Sequence, residues 1–207
     1  ALGQRQSARL AVGLLRAARG LGLLGVGGLA DAEGAFSAGA WPVERSLLAS
    51  ALLSDDEQLA LDAVDLVCTH PRLTDAVTDE EMRLLRAFLP LRLKGASANS
   101  RKHIVTALRK WLLRLRASTF RSAQLQRDLR SLDDKMAAQP PPLLDSLPEP
   151  LQRAAARRAY ATRVGVWLCW YGTTLLGSLY AHAPVERSLL ALELYTSLAE
   201  VWGVSRG

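Results

Sequence analysis

The stretch Asn99–Arg121, NSRKHIVTALRKWLLRLRASTFR, decides the fold. Wound as a helix at about 100° per residue, it divides into two arcs. Ile104, Leu108, Trp111, Leu112 and Leu115 share one side. On the other side Lys102, Arg109 and Arg116 form an i, i+7, i+14 row, and His103, Lys110, Arg114 and Arg121 form a second row beside it. One arc suits burial in a helical core, and the opposite arc is almost wholly cationic. A cationic helix side holds phosphates without reading bases.

The chain around this helix has 207 residues, enough for one sizeable core. At 49% hydrophobic and 22% charged it is not a generally disordered sequence. It is rich in Leu, Ala and Arg and poor in Val, Ile, Thr, Tyr and Phe, which favours helix over sheet. Cys68 and Cys169 lie far apart in apolar helical patterns, which argues against a disulfide framework and suits a reducing, cytoplasmic setting. His70, His103 and His182 share no ligand spacing with each other or with a cysteine, so neither a metal nor a cofactor is expected.

The net charge of +6 hides strong segregation. Residues 1–30 carry four arginines and no acid. Residues 31–81 carry twelve acids against Arg45 and Arg72, a net −10, and residues 82–127 carry twelve Lys or Arg and no acid, a net +12. Such blocks concern electrostatic partners rather than fold. A surface that faces a polyanion is the expectation; the alternative is that the acidic helices simply lie beside the basic ones.

Helix signals recur at short intervals. Ser7–Arg19 is predicted helical, with Leu10, Leu14 and Leu15 on one side. Val43–Leu53 follows Pro42, and Glu57–Thr69 follows a capping box of Ser54 and Glu57. Thr78 and Glu81 make another capping box before Met82–Lys94, a helix expected to bend or end near Pro90. Asn99 or Ser100 then caps the basic helix, whose polar continuation Ser122–Ala138 is expected to protrude. Beyond a proline-rich linker, QPPPLLDSLPEP, come Leu151–Arg163, Val164–Ala181 and a last helix opened by Pro184. The string PVERSLLA occurs at Pro42–Ala49 and again at Pro184–Ala191, each time with Pro at a helix start and Leu-Leu assigned to the inner face. The copies are 142 residues apart, about three to four units of a HEAT or armadillo array.

Competing functions find little support. Gly20, Gly22 and Gly25 fit G-x-G-x-x-G, but a helix precedes them and no β-α-β pattern follows, so a helix stop is the better account. The arginine-rich start resembles a targeting segment only loosely. The uncharged run Val164–Ala181 touches the lower length limit of a membrane span but contains three glycines, and a buried solenoid helix is preferred. There is no G-x-S-x-G elbow, Walker loop or H-E-x-x-H, so no catalytic role is expected. Glu57, Asp62 and Asp65 are assigned to a solvated helix face. Trp111, Trp167, Trp170 and Trp202 fall in apolar helical stripes and are assigned to the core.

The run Asp79–Ser118, DEEMRLLRAFLPLRLKGASANSRKHIVTALRKWLLRLRAS, resembles the THADA (thyroid adenoma-associated protein) family. Ser100, Arg101, Leu108, Arg109, Lys110, Leu112, Arg114, Leu115 and Arg116 supply the S-x-R-x-x-x-x-x-x-L-K-K-x-L-x-R-L-R-like elements. LALDAVDLVCTHP at Leu59–Pro71 and the segment from Trp167 to Gly203 also look like that family. The resemblance implies an armadillo/HEAT solenoid within a much larger protein. It also implies a non-catalytic partner of an FtsJ-type 2′-O-ribose methyltransferase that acts on the tRNA anticodon loop and itself binds the methyl donor.

These readings converge on an all-α, armadillo/HEAT-like α-solenoid of antiparallel helix pairs, a fragment of a larger array. Its parts are a helix with a Gly-rich loop over 1–40, helical repeats with the basic helix over 41–138, a linker over 139–150 and a further helical repeat over 151–207. The expected function is a tRNA-binding regulatory scaffold, with Lys102, Arg109, Lys110, Arg114, Arg116 and Arg121 as the RNA contacts. A protein-interaction scaffold without RNA binding is the alternative, and no membrane partner is expected.

Overall fold

The computed structural model describes residues 2–21, 45–137 and 149–203. The described chain is helical, in the order α1 (Leu2–Gly20), α2 (Arg45–Leu52), α3 (Glu57–Cys68), α4 (Asp79–Gly95), α5 (Ala98–Ala137), α6 (Glu149–Leu176) and α7 (Val185–Trp202). Most of the Gly-rich loop and of the proline-rich linker lie outside the described residues.

Two layers form. Arg9, Arg16 and Arg19 of α1 meet Asp56, Asp62 and the Leu66 carbonyl along α3, so these two helices run parallel. Ser97 and Lys110 meet Glu57 and Asp65, and Arg101 and Arg109 meet Glu193 and Glu200. Helices α1, α3, α5 and α7 therefore lie side by side and parallel. On the other layer, α6 follows α4 in parallel: Arg163 pairs with Asp79, and Trp167 Nε1 donates to the Met82 carbonyl at 3.3 Å. Each hairpin places one helix in each layer, which is the solenoid of antiparallel pairs.

Between the layers sits an aromatic core. The Trp111 and Trp167 rings lie 6.0 Å apart, and Trp167 stacks on Tyr171 at 5.1 Å. Phe88, Leu112 and Leu115 are fully buried around them. Trp170 and Trp202 pack at its edge.

Several local expectations shift. The N-cap of α3 is Asp56, whose side chain accepts from Leu59 N at 3.2 Å. Ser54 instead braces the turn by accepting from Asp56 N, while Glu57 reaches across to Ser97 N. The Thr78–Glu81 capping box is present. Helix α4 runs through Pro90 to Gly95, because Phe88, Leu89 and Leu93 are buried on both sides of the proline. Helix α5 starts at Ala98, with the Ser97 hydroxyl accepting from Ser100 N at 3.2 Å. Leu151–Arg163 and the run after it form one helix, α6, which ends at Leu176. No described helix is long and apolar enough to cross a membrane. In α1 the inward face is Ala8, Val12, Leu15 and Arg19, and Leu10 and Leu14 point outward. In both copies of PVERSLLA only the second leucine turns inward: Leu48 and Leu190 are buried, and Leu47 and Leu189 are exposed.

One buried carboxylate ties the helices together. Glu81 is completely buried and its Oε1 accepts from Arg19 at 2.7 Å and from Arg114 at 3.0 Å. Its Oε2 accepts from Thr78 N at 2.9 Å. Arg19 also donates to the Leu66 carbonyl, and Arg114 to the carbonyls of Asp75 and Ala76. Nearby, the Tyr160 hydroxyl lies 2.7 Å from Ser118 Oγ and accepts from Val77 N. Burial would push the Glu81 carboxyl up, but Arg114 and then Arg19 outweigh it and hold the group below its ordinary 4.5. Burial, reinforced by Arg114, lowers His70 to about 4.

Two predictions follow from this hub. Removing the charge with Glu81→Gln leaves two buried guanidiniums short of a counter-ion, and should cost about 3–5 kcal/mol. A loss below about 1 kcal/mol in urea unfolding would show that the hub is not structural. Stability should also decline as pH falls from about 6.5 toward 4, because the unfolded His70 takes up a proton that the folded ring resists. It should fall further below 4.5, as the depressed Glu81 carboxylate is finally protonated. His70→Gln should flatten the upper part of that profile, and an unfolding midpoint constant from pH 7 to 4 would contradict it.

Candidate nucleic-acid interface

The cationic side of α5 is not an open row. Helix α5 is flanked by α3 and α7 in its own layer and packs on α6 in the other, so its buried arc is wider than a one-sided amphipathic pattern suggests. Each expected contact residue has its own surroundings.

Lys102 is exposed, and no ion pair is made by it among the described residues. Arg109 Nη1 lies 3.0 Å from Glu200, with about half of each side chain still exposed (54% and 49%). Lys110 Nζ lies 2.9 Å from Asp65 and remains 46% exposed. Arg116 is half-buried, its guanidinium 5.4 Å from the centre of the exposed Phe120 ring. Arg121 is exposed and donates to Thr74 Oγ1 at 3.0 Å.

Arg114 departs from the expectation. It sits about 40° further round the helix than Lys110, and that turn carries it under the 69–77 segment. Its side chain is fully buried on Glu81 and two carbonyls, with the guanidinium 5.9 Å from the Trp111 ring. Arg114 is a core residue and cannot meet a phosphate in the folded chain.

The assignment of Glu57, Asp62 and Asp65 to a solvated face is corrected too. All three face neighbouring helices. Arg16 Nη1 lies 2.8 Å from Asp62 and 3.7 Å from Asp65, and Lys110 approaches Asp65 from the other side. Glu57 is turned toward Ser100 and Ser97, whose hydrogen bonds lower its carboxyl against the opposing effect of burial. In this layer, basic α1, acidic α3, basic α5 and the acidic row of α7 alternate. The segregated charge blocks therefore mark, in part, helices that lie next to each other. The matching signal in the sequence is the heptad row Glu186, Glu193 and Glu200, set against Arg101 and Arg109.

Between α3 and α5 the surface opens into a cleft of about 350 Å³ lined by Asp65, Asn99, Lys102, His103, Thr106 and Lys110. His103 is half-buried, and its Nε2 is shut off from solvent without a hydrogen-bond partner. The Thr106 hydroxyl donates to the Lys102 carbonyl at 2.9 Å. The sequence offers Asn99 only as a helix cap, and it does not single out Thr106, which breaks no pattern. Among the described residues no group of three or more His, Cys, Asp or Glu could hold a metal ion. Both cysteines are free; Cys68 is buried, which pushes its thiol up and leaves it unreactive, while Cys169 is exposed.

The model of the family described as "Trm732, TPR repeats" matches residues 3–203. The "tRNA (32-2'-O)-methyltransferase regulator THADA" of Gallus gallus is 32% identical over 77 residues, which is 37% of this chain and 4% of that protein. The chain therefore spans only a small part of that relative's length. No solved structure matches it.

The contrast between Arg114 and Arg116 is open to test. Arg114→Gln should lower unfolding stability by about 3–5 kcal/mol, as for the loss of one partner of a buried ion pair. Arg116→Gln should stay within about 0.5 kcal/mol of the parent. Equal costs in chemical denaturation would place both arginines on the same face and refute the assignment.

Proposed function

The chain belongs to the Trm732 TPR-repeat family, and from that premise we propose that it is part of a non-catalytic regulatory subunit. That subunit binds a tRNA and presents its anticodon loop for 2′-O-ribose methylation by a separate enzyme. The enzyme, of the FtsJ type, holds the methyl donor; this segment contributes a rigid helical frame and backbone contacts. The observation that carries the reading is the set of cations on α5 that the neighbouring acids do not neutralise: Lys102, Arg116 and Arg121, with Arg109 and Lys110 half-exposed at their flanks. A structured RNA is held largely through shape and phosphates, which such a surface suits. The name of the Gallus gallus relative, a tRNA methyltransferase regulator, supports the same reading. A cytoplasmic site of action fits the two free thiols.

A second reading has its own support. Arg101, Arg109 and Lys110 already have acidic partners, so a protein scaffold without RNA binding could use the same layer.

The two readings separate in the full-length protein assembled with its methyltransferase. Combined Lys102→Glu, Arg116→Glu and Arg121→Glu should weaken tRNA binding and flatten the plot of log K against log salt by about 0.9 per lost contact. Unchanged tRNA affinity, with loss of the enzyme partner from the complex, would favour the scaffold.

A further inference from the structure

We propose that the cleft between α3 and α5 seats one phosphate group of the RNA backbone, and that Asp65 is a built-in competitor for that seat. The inference rests on the RNA reading above and gives it a location and a control.

The cleft has the donors such a group requires. Lys102 brings an ammonium with no acidic partner among the described residues, and Lys110, about two turns further along the same helix, brings a second. His103 Nε2 is removed from solvent and unpartnered. A buried polar atom left in that state is costly, and a rotation of the ring toward the cleft, with an anion there to accept its N–H, would relieve that cost. Asn99 adds an amide at the rim. Thr106 is not a donor here, since its hydroxyl proton is given to the Lys102 carbonyl. At about 350 Å³ the space takes a phosphodiester with several waters, each occupying about 30 Å³.

The only acid in the lining is Asp65. Its carboxylate is already held by α1 through Arg16, at 3.7 Å, and it holds Lys110 at 2.9 Å. A phosphate in the cleft would take Lys110 from Asp65, while Arg16 keeps Asp65 on the α1 side. Asp65 therefore lowers the affinity of the seat while it fastens α1, α3 and α5 together. That dual role gives a signature of opposite sign from ordinary damage: removing the Asp65 charge should weaken the fold and strengthen RNA binding.

The test uses the full-length protein with its methyltransferase, a tRNA transcript as the probe, and melting curves to confirm folding. Asp65→Asn should lower Tm slightly and tighten tRNA binding about two- to fivefold, the range of one exposed ion pair. Lys102→Gln and His103→Gln should each weaken binding, with the Lys102 variant reducing the salt slope by about one. If Asp65→Asn leaves affinity unchanged or lowers it while Arg116→Gln with Arg121→Gln weakens binding, the cleft is overturned and the RNA reading stands. If no α5 variant alters tRNA affinity, the RNA reading itself has failed. If inorganic phosphate at constant ionic strength shifts the His103 ring resonances while cleft variants leave tRNA affinity untouched, the occupant is a free anion and the proposal is overturned.

Discussion

The structure depends on a single buried carboxylate. Glu81 closes the capping box of α4, and the same side chain is the anionic centre for Arg19 from α1 and Arg114 from α5. Three helices separated in sequence are thereby set in one register, and the carbonyls of Leu66, Asp75 and Ala76 take up the remaining donors. Buried charge of this kind is poor evidence of net stability, since an apolar replacement of the whole group can do as well. What it supplies here is position: each guanidinium is satisfied only if its helix sits at one height and one rotation. The aromatic core around Trp111 and Trp167 is less directional and accepts more than one arrangement.

That register sets what the outer face of the layer can do. With α1, α3, α5 and α7 parallel and in step, oppositely charged rows meet along their lengths. Part of the basic block is thereby answered within the fold, and on this layer Lys102, Arg116 and Arg121 of α5 are left without an acidic partner among the described residues. The free cations and the cleft share the exposed side of α5: Lys102 belongs to both, Arg116 continues its row, and Arg121 continues the row of His103 and Lys110 toward the later turns. A strip on a stack of rigid helices keeps its spacing, which suits a partner recognised by the geometry of its phosphates.

Much of this was legible from residue pattern, and the misses have physical causes. Helix type and order were readable because caps, prolines and apolar periodicity agree, as at Thr78 and Glu81. The second role of Glu81 was not, since its partners lie 62 and 33 residues away and nothing local announces them. Arg114 lies in the core and not on the cationic face because periodicity gives an arc and not its edges, and a helix flanked on both sides buries more of itself. The inward face of α1 does not follow its leucine stripe for a related reason: Leu10 and Leu14 are exposed, and Arg9, Arg16 and Arg19 hold the helix with Val12 turned inward. Pro90 reads locally as a helix end, but tertiary packing on either side of it prevails.

The central claim is that α5 holds RNA backbone. The most direct measurement is a map of RNA–protein crosslinks on the intact protein, bound to tRNA and its methyltransferase. The account predicts crosslinks at Lys102, Lys110 and Phe120 and none at Arg114, which is sealed in the core. A map with α5 free of crosslinks while tRNA is bound and methylated would contradict it.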